Sequence, residues 1–132
     1  MYGVSWSMPC VLYIEDNFDN RMLVKRVLMA EGFEFREADN AVDGIKMAVN
    51  DPPDLILMDI NMPRLSGLSA AQQIRDIEAL NDVPVIALTA NVMKGDREQT
   101  LEAGCDGYIA KPIDVDRFPD QVRQFVSVGR SR

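Results

Sequence analysis

The sequence predicts an α/β fold: a doubly wound parallel sheet with helices on both faces. Two observations predict it. Residues 11–14, 55–58 and 83–88 form short apolar runs that do not alternate with polar residues, the mark of strands buried on both sides. Segments with helical spacing of apolar residues lie between the runs, so strand and helix alternate five times. A length of 132 residues suits one domain with a single sizeable core. Residues 1–8 read as a disordered lead-in, 9–128 as the domain and 129–132 as a tail.

Taken in order, Val11-Leu12-Tyr13-Ile14 is the first strand and ends in Glu15-Asp16-Asn17. Asn17 or Asp19 can cap a helix over 18–31, with Leu23, Val24, Val27 and Leu28 on its inner face and Gly32 as its stop. Residues 33–38 alternate Phe with charged neighbours and predict a half-exposed strand near a sheet edge. Asp39 or Asn40 starts a second helix, with Ile45 and Ala48 facing in, which Pro52-Pro53 ends. Leu55-Ile56-Leu57-Met58 is the third strand, with Asp59 at its carboxyl end. Pro63 and Gly67 shape the loop that follows, and a third helix spans 68–80 with a close-packing Ala70-Ala71 pair. The fourth strand, 83–88, tolerates Pro84 only near its start. A polar helix over 94–103 is closed by Gly104, and 106–110 is the fifth strand. Asp114 caps a last helix to about residue 128, with Phe118, Val122, Phe125 and Val126 inside.

Composition narrows the function. A net charge of −7 argues against non-specific nucleic-acid binding and against docking on anionic membranes. No apolar run nears the roughly 20 residues of a membrane helix, and the first ten residues lack the features of a signal peptide. Cys10 and Cys105 form no metal or redox spacing, which fits two buried thiols in a reducing cytoplasm. The chain has no histidine, so His-dependent hydrolysis and His metal sites are excluded, and it cannot itself carry a phosphohistidine.

Four strands end in polar residues that do not belong in a core: Glu15-Asp16, Asp59, Thr89 and Lys111. Parallel strands point their carboxyl ends to one edge, where open α/β sheets bind ligands. Singly, each is equally well explained as a helix-entry acid, a turn acid, a cap or a surface lysine. Together they resist that explanation, because three carboxylates at one edge repel unless a cation joins them. A hard cation such as Mg²⁺ suits such oxygen ligands. Asp59 can then serve as a nucleophile forming an aspartyl-phosphate. Glu15, Asp16 and Asp59 hold the metal, Lys111 and Thr89 meet phosphate oxygens, and small Ala90 leaves room for the donor.

This set, with Lys111-Pro112, Pro63, Gly67 and Tyr108 three places before the lysine, resembles the receiver (response-regulator) domain of two-component signalling over residues 9–128. The resemblance implies a flavodoxin-like (CheY-like) five-stranded parallel sheet of order 2-1-3-4-5, in keeping with the edge-like second strand. It implies phosphoryl transfer to Asp59 from the phosphohistidine of a histidine kinase or histidine phosphotransfer protein. It further implies metal ligation by the Asn61 backbone carbonyl, a cis Lys111-Pro112 bond, and a switch in which Thr89 moves and Tyr108 turns to reshape a face that meets a downstream protein. Glu15 stands where the family often has Asp and keeps the carboxylate.

Rival readings fare worse. A haloacid-dehalogenase-type phosphatase needs an acid where Asn61 stands, and a flavodoxin-type FMN carrier needs a phosphate loop where Glu15-Asp16-Asn17 would repel phosphate. A degenerate receiver that only binds proteins would not need the full site set. The sequence is therefore expected to be a cytoplasmic signalling receiver rather than an enzyme, catalysing only its own aspartyl phosphorylation and dephosphorylation, without nucleic-acid or membrane contact. It reads as a stand-alone regulator lacking a DNA-binding output, or alternatively as the terminal receiver segment of a hybrid histidine kinase.

Overall fold

A computed structural model describes residues 8–60, 62, 66–90 and 96–129. The expected lead-in up to residue 7, Asn61, Pro63 and the start of the fourth helix at Lys94 lie outside those residues, as does most of the tail. The elements are β1 (Cys10–Ile14), α1 (Phe18–Ala30), β2 (Glu34–Ala38), α2 (Ala41–Asn50), β3 (Leu55–Asp59), α3 (Gly67–Arg75), a 3₁₀ turn (Glu78–Leu80), β4 (Val85–Thr89), α4 (Asp96–Glu102), β5 (Gly107–Ala110) and α5 (Phe118–Val128). All pairings are parallel, and the sheet order is β2-β1-β3-β4-β5.

The continuous apolar runs have the expected cause. Each residue of β3 and β4 is buried, because helices cover both faces of the central strands. Leu12, Ile14, Ile56, Met58, Val85 and Ala87 face α2 and α3, where Ala48, Ala70 and Ala71 permit close approach. Val11, Tyr13, Leu55, Leu57, Ile86 and Leu88 face Val24 and Leu28 of α1 and Phe118 and Val122 of α5. β2 pairs on one side only and is mostly half-exposed, as its alternation predicts. Asn17 and Asn40 cap α1 and α2 by accepting from Asn20 N–H and Asp43 N–H. Gly32 and Gly104 end helices at φ +88° and +104°, conformations that disfavour a side chain.

Four expectations need correction. The third helix does not run to residue 80: it stops at Arg75, Ile77 turns extended, and a 3₁₀ turn follows. The Arg75 guanidinium donates to the Val83 carbonyl (2.6 Å), so the break is held by a side chain that reaches past it, while Leu80 is fully buried. Leu23 is not on the inner face of α1. That face is Val24 and Leu28, with Val27 packed half-buried beside them, and Leu23 is 40% exposed beside a groove lined by Asn20, Ala90, Lys111, Pro112 and Ile113. Asp114 does not cap α5. It caps a preceding turn, accepting from Asp116 N–H, and α5 begins at Phe118 with Pro119 in its first turn. Only one thiol is buried: Cys105 is, whereas Cys10 is half-buried and accepts from Arg36 Nε at 3.2 Å.

No helix among the described residues is long and apolar enough to cross a membrane. One glycine governs the carboxyl end of β3. Gly67 donates its N–H to the Ile60 carbonyl (3.0 Å), and a Cβ there would collide with the Asp59 carbonyl and lie 2.8 Å from the Ile60 Cα. Neither obstacle is a side chain that can swing away. Gly67→Ala is therefore expected to lower stability by about 1–3 kcal/mol, read as a lowered urea midpoint at unchanged slope.

Candidate functional site

The site is built at the carboxyl edge because four parallel strands end there. β1 delivers Glu15 and Asp16, β3 delivers Asp59, β4 delivers Thr89 and β5 delivers Lys111 just past its last residue. The backbone locks each arrival. Glu15 N–H donates to the Ala38 carbonyl (3.0 Å), Ile60 N–H to the Leu88 carbonyl (3.1 Å), and Lys111 N–H to the Thr89 carbonyl (2.8 Å). The Lys111–Pro112 peptide is cis.

The structure brings Glu15, Asp16 and Asp59 together, with one carboxylate oxygen of each lying within 4.8 Å of the others. Glu15 and Asp59 are buried and Asp16 is exposed, so the cluster opens to solvent on one side. The Lys111 ammonium sits between the two buried acids, 3.0 Å from Glu15 Oε1 and 3.2 Å from Asp59 Oδ1. Thr89 is buried at the end of β4, and Tyr108, half-buried on β5, lies opposite Ala87. Ala87 and Tyr108 pack on the same side of the sheet, and Thr89 follows Ala87 by two residues, so Thr89 and Tyr108 share a face on adjacent strands. Asn61 lies outside the described residues.

Charge sets the protonation preferences. Burial pushes the Glu15 carboxyl up, but Asp59, which takes the proton first and then donates to it at low pH, and the Lys111 ammonium outweigh burial and hold the group at about 2. Partial burial and the Glu15 carboxylate beside it push Asp16 up. Burial lowers Lys111, yet its bond to Glu15 and the charge of Asp59 leave it raised. Among the described residues the edge is thus an acidic cleft carrying one ammonium, that of Lys111. Its donors fit a hard divalent cation: three carboxylates face a single lysine, and the uncompensated charge is all on oxygen.

Three contributors escape a reading of the sequence by motif. The Tyr13 hydroxyl donates to Glu15 Oε1 (3.0 Å), and Asn20 Nδ2 donates to the same oxygen (3.2 Å). Tyr13 sits inside an apolar run and reads there as core. The available signal was its spacing, because residues two apart in a strand share a face and a buried tyrosine hydroxyl needs a partner. Arg21 also contributes, donating from Nη1 to the Glu15 carbonyl (2.8 Å) and from Nε to Glu37 (3.0 Å).

Comparison with known proteins agrees in scale and shape. Residues 11–123 match the model of the response regulator receiver domain family. The polar-differentiation response regulator DivK of Brucella anthropi is 40% identical over 116 residues, covering 88% of this chain and 94% of that protein. The receiver domain of a sensor histidine kinase from Pseudomonas aeruginosa PAO1, solved with a magnesium ion coordinated in the active site cleft, superposes with a TM-score of 0.84 at 33% identity, covering 92% of this chain and 99% of that one. A chain in the co-crystal structure of the Saccharomyces cerevisiae histidine phosphotransfer protein Ypd1 and the receiver domain of its downstream response regulator Ssk1 has a TM-score of 0.84 at 27% identity, covering 95% and 93%.

Because the Glu15 carboxyl is lowered on folding from an ordinary value of 4.5, it contributes stability above pH 4.5 that is lost as the pH falls toward about 2. Urea midpoints are expected to drop across that window. In Lys111→Met, which removes one of the groups holding Glu15 ionised, the drop attributable to Glu15 should be smaller and overall stability at pH 7 lower.

Proposed function

The chain belongs to the response regulator receiver domain family, and from that premise we propose that it accepts a phosphoryl group on Asp59 in a two-component phosphorelay. The observation that carries this reading is the Lys111 ammonium set 3.2 Å from Asp59 Oδ1 at a solvent-open edge that also holds Glu15 and Asp16. A carboxylate beside a fixed positive charge is placed both to attack phosphorus and to have the product's charge compensated.

The donor is a phosphohistidine on another protein or segment, since this chain contains no histidine. A carboxylate oxygen of Asp59 forms the new O–P bond as the P–N bond breaks; the imidazole nitrogen keeps the electron pair and takes a proton from solvent. Asp16 and Asp59, with Glu15 through water and the Asn61 carbonyl, would hold Mg²⁺, which when bound offsets charge on the phosphoryl oxygens. Lys111 supplies a point charge and Thr89 a hydroxyl donor to those oxygens. A histidine kinase or a histidine phosphotransfer protein fits as donor, a role in line with the Ypd1 and Ssk1 pair.

Phosphorylation adds about −1.5 to −2 charges at the edge. Lys111 and Thr89 are drawn to the new oxygens, and Tyr108, on the face it shares with Thr89, follows into the space released. The outer surface of α4, β5 and α5 then changes shape for a downstream protein.

Incubation with a small acyl phosphate and Mg²⁺, read by intact mass, is expected to add one phosphoryl group to the parent chain and none to Asp59→Asn or to the parent with a chelator. A gain that persists in Asp59→Asn overturns the assignment. Thr89→Ala is expected to accept the phosphoryl group yet leave the NMR shifts of the Tyr108 ring close to their unphosphorylated values, whereas the parent's ring shifts move.

A further inference from the structure

Three donors converge on one oxygen of Glu15, and one of them, Tyr13, lies in the buried strand rather than at the charged edge. The two residues share a face of β1, where Tyr13 is fully buried and its hydroxyl donates to Glu15 Oε1 (3.0 Å). Lys111 Nζ (3.0 Å) and Asn20 Nδ2 (3.2 Å) donate to that same oxygen. A carboxylate oxygen has two lone-pair sites, so three donors saturate it. Glu15 Oε2 accepts a long bond from Asn17 N–H (3.4 Å) and is the less encumbered of the two oxygens. The Tyr13 ring meets Phe35 with centroids 6.4 Å apart, so the ring has packing of its own apart from the hydroxyl bond.

We propose that the Tyr13 hydroxyl, assisted by the Asn20 amide, is a positioning group that fixes Glu15 Oε1 and so leaves Oε2 available to Mg²⁺ or its water. This rests on the receiver reading given above. The physical need is twofold. Glutamate has one more side-chain torsion than aspartate, and ordering it on cation binding costs entropy unless it is ordered beforehand. Lys111 also has a second task. When it turns to phosphoryl oxygens on Asp59, Glu15 loses a donor in a buried position, which is destabilising unless others remain. Tyr13 and Asn20 are those others. They come from β1 and α1, not from the ends of β3 and β5 that carry Asp59 and Lys111.

The test is calorimetric titration of Mg²⁺ into the full chain, Tyr13→Phe, and Val122→Ala, a core variant on α5 chosen to match any loss of thermal stability. Tyr13→Phe keeps the ring and removes one donor. Its Mg²⁺ dissociation constant is expected to rise about tenfold, with Val122→Ala within about twofold of the parent and Asp59 still phosphorylated in all three at saturating Mg²⁺. If Tyr13→Phe binds within about twofold of a parent that does bind, or if both variants weaken alike, the positioning role is overturned while the receiver reading stands. If the parent neither binds Mg²⁺ nor gains a phosphoryl group, the receiver reading fails and takes this inference with it.

Discussion

Lys111 stands between two buried carboxylates, 3.0 Å from Glu15 and 3.2 Å from Asp59, and much of the molecule is arranged to keep it there. Burying acids is unfavourable unless they are paired and hydrogen-bonded. The sheet meets that condition geometrically: β1 and β3 are neighbours, so Glu15 and Asp59 arrive side by side, and β5 brings the lysine in past β4. Arg21 secures the Glu15 carbonyl, Tyr13 and Asn20 secure its carboxylate, and Gly67 allows the chain after Asp59 to fold back closely. Exposed Asp16 leaves the cluster open to solvent on one side, where a cation can enter.

The opposite end of the sheet is built for permanence. Asp106 N–H donates to the Val85 carbonyl (2.8 Å) while its side chain accepts from Val85 N–H (2.9 Å), so the entries of β4 and β5 are tied at both polar groups. Arg75 extends from the end of α3 to the Val83 carbonyl and lies 3.8 Å from Asp106. Burial lifts the Cys105 thiol beside them to about 12, which leaves it without thiolate character at neutral pH. Polar groups here bind one another; at the carboxyl edge two buried acids share the Lys111 ammonium, and under the proposed function a new charge there would change those partners.

This division explains how the two edges differ in legibility. Acids and a lysine at strand ends stand out against apolar runs, so Glu15, Asp16, Asp59, Thr89 and Lys111 are found by pattern. Arg75 and Tyr13 do not stand out. Arg75 reads as one more surface charge on a long helix, yet its guanidinium crosses the helix end and marks where the helix stops. Tyr13 reads as core, yet its single oxygen faces a carboxylate. Leu23 errs the other way, since its apolar character predicts burial and its place on α1 puts it at the rim of a groove.

The sequence by itself determined the fold class, the edge-like second strand, the repeated alternation of strand and helix and the residues that converge at one edge. Each follows from local periodicity, turn chemistry and the rule that parallel strands share a direction. Only the tertiary structure decided which oxygen of Glu15 is occupied, how Lys111 divides itself between two acids, where α3 ends and which side of α1 is covered. Those outcomes depend on distances between residues far apart in the chain. Lys111 and Glu15 are separated by 96 positions and meet at 3.0 Å because β1 and β5, with β3 and β4 between them, end at the same edge of one parallel sheet. Composition and spacing carry the kinds of groups present, and packing sets which of them touch.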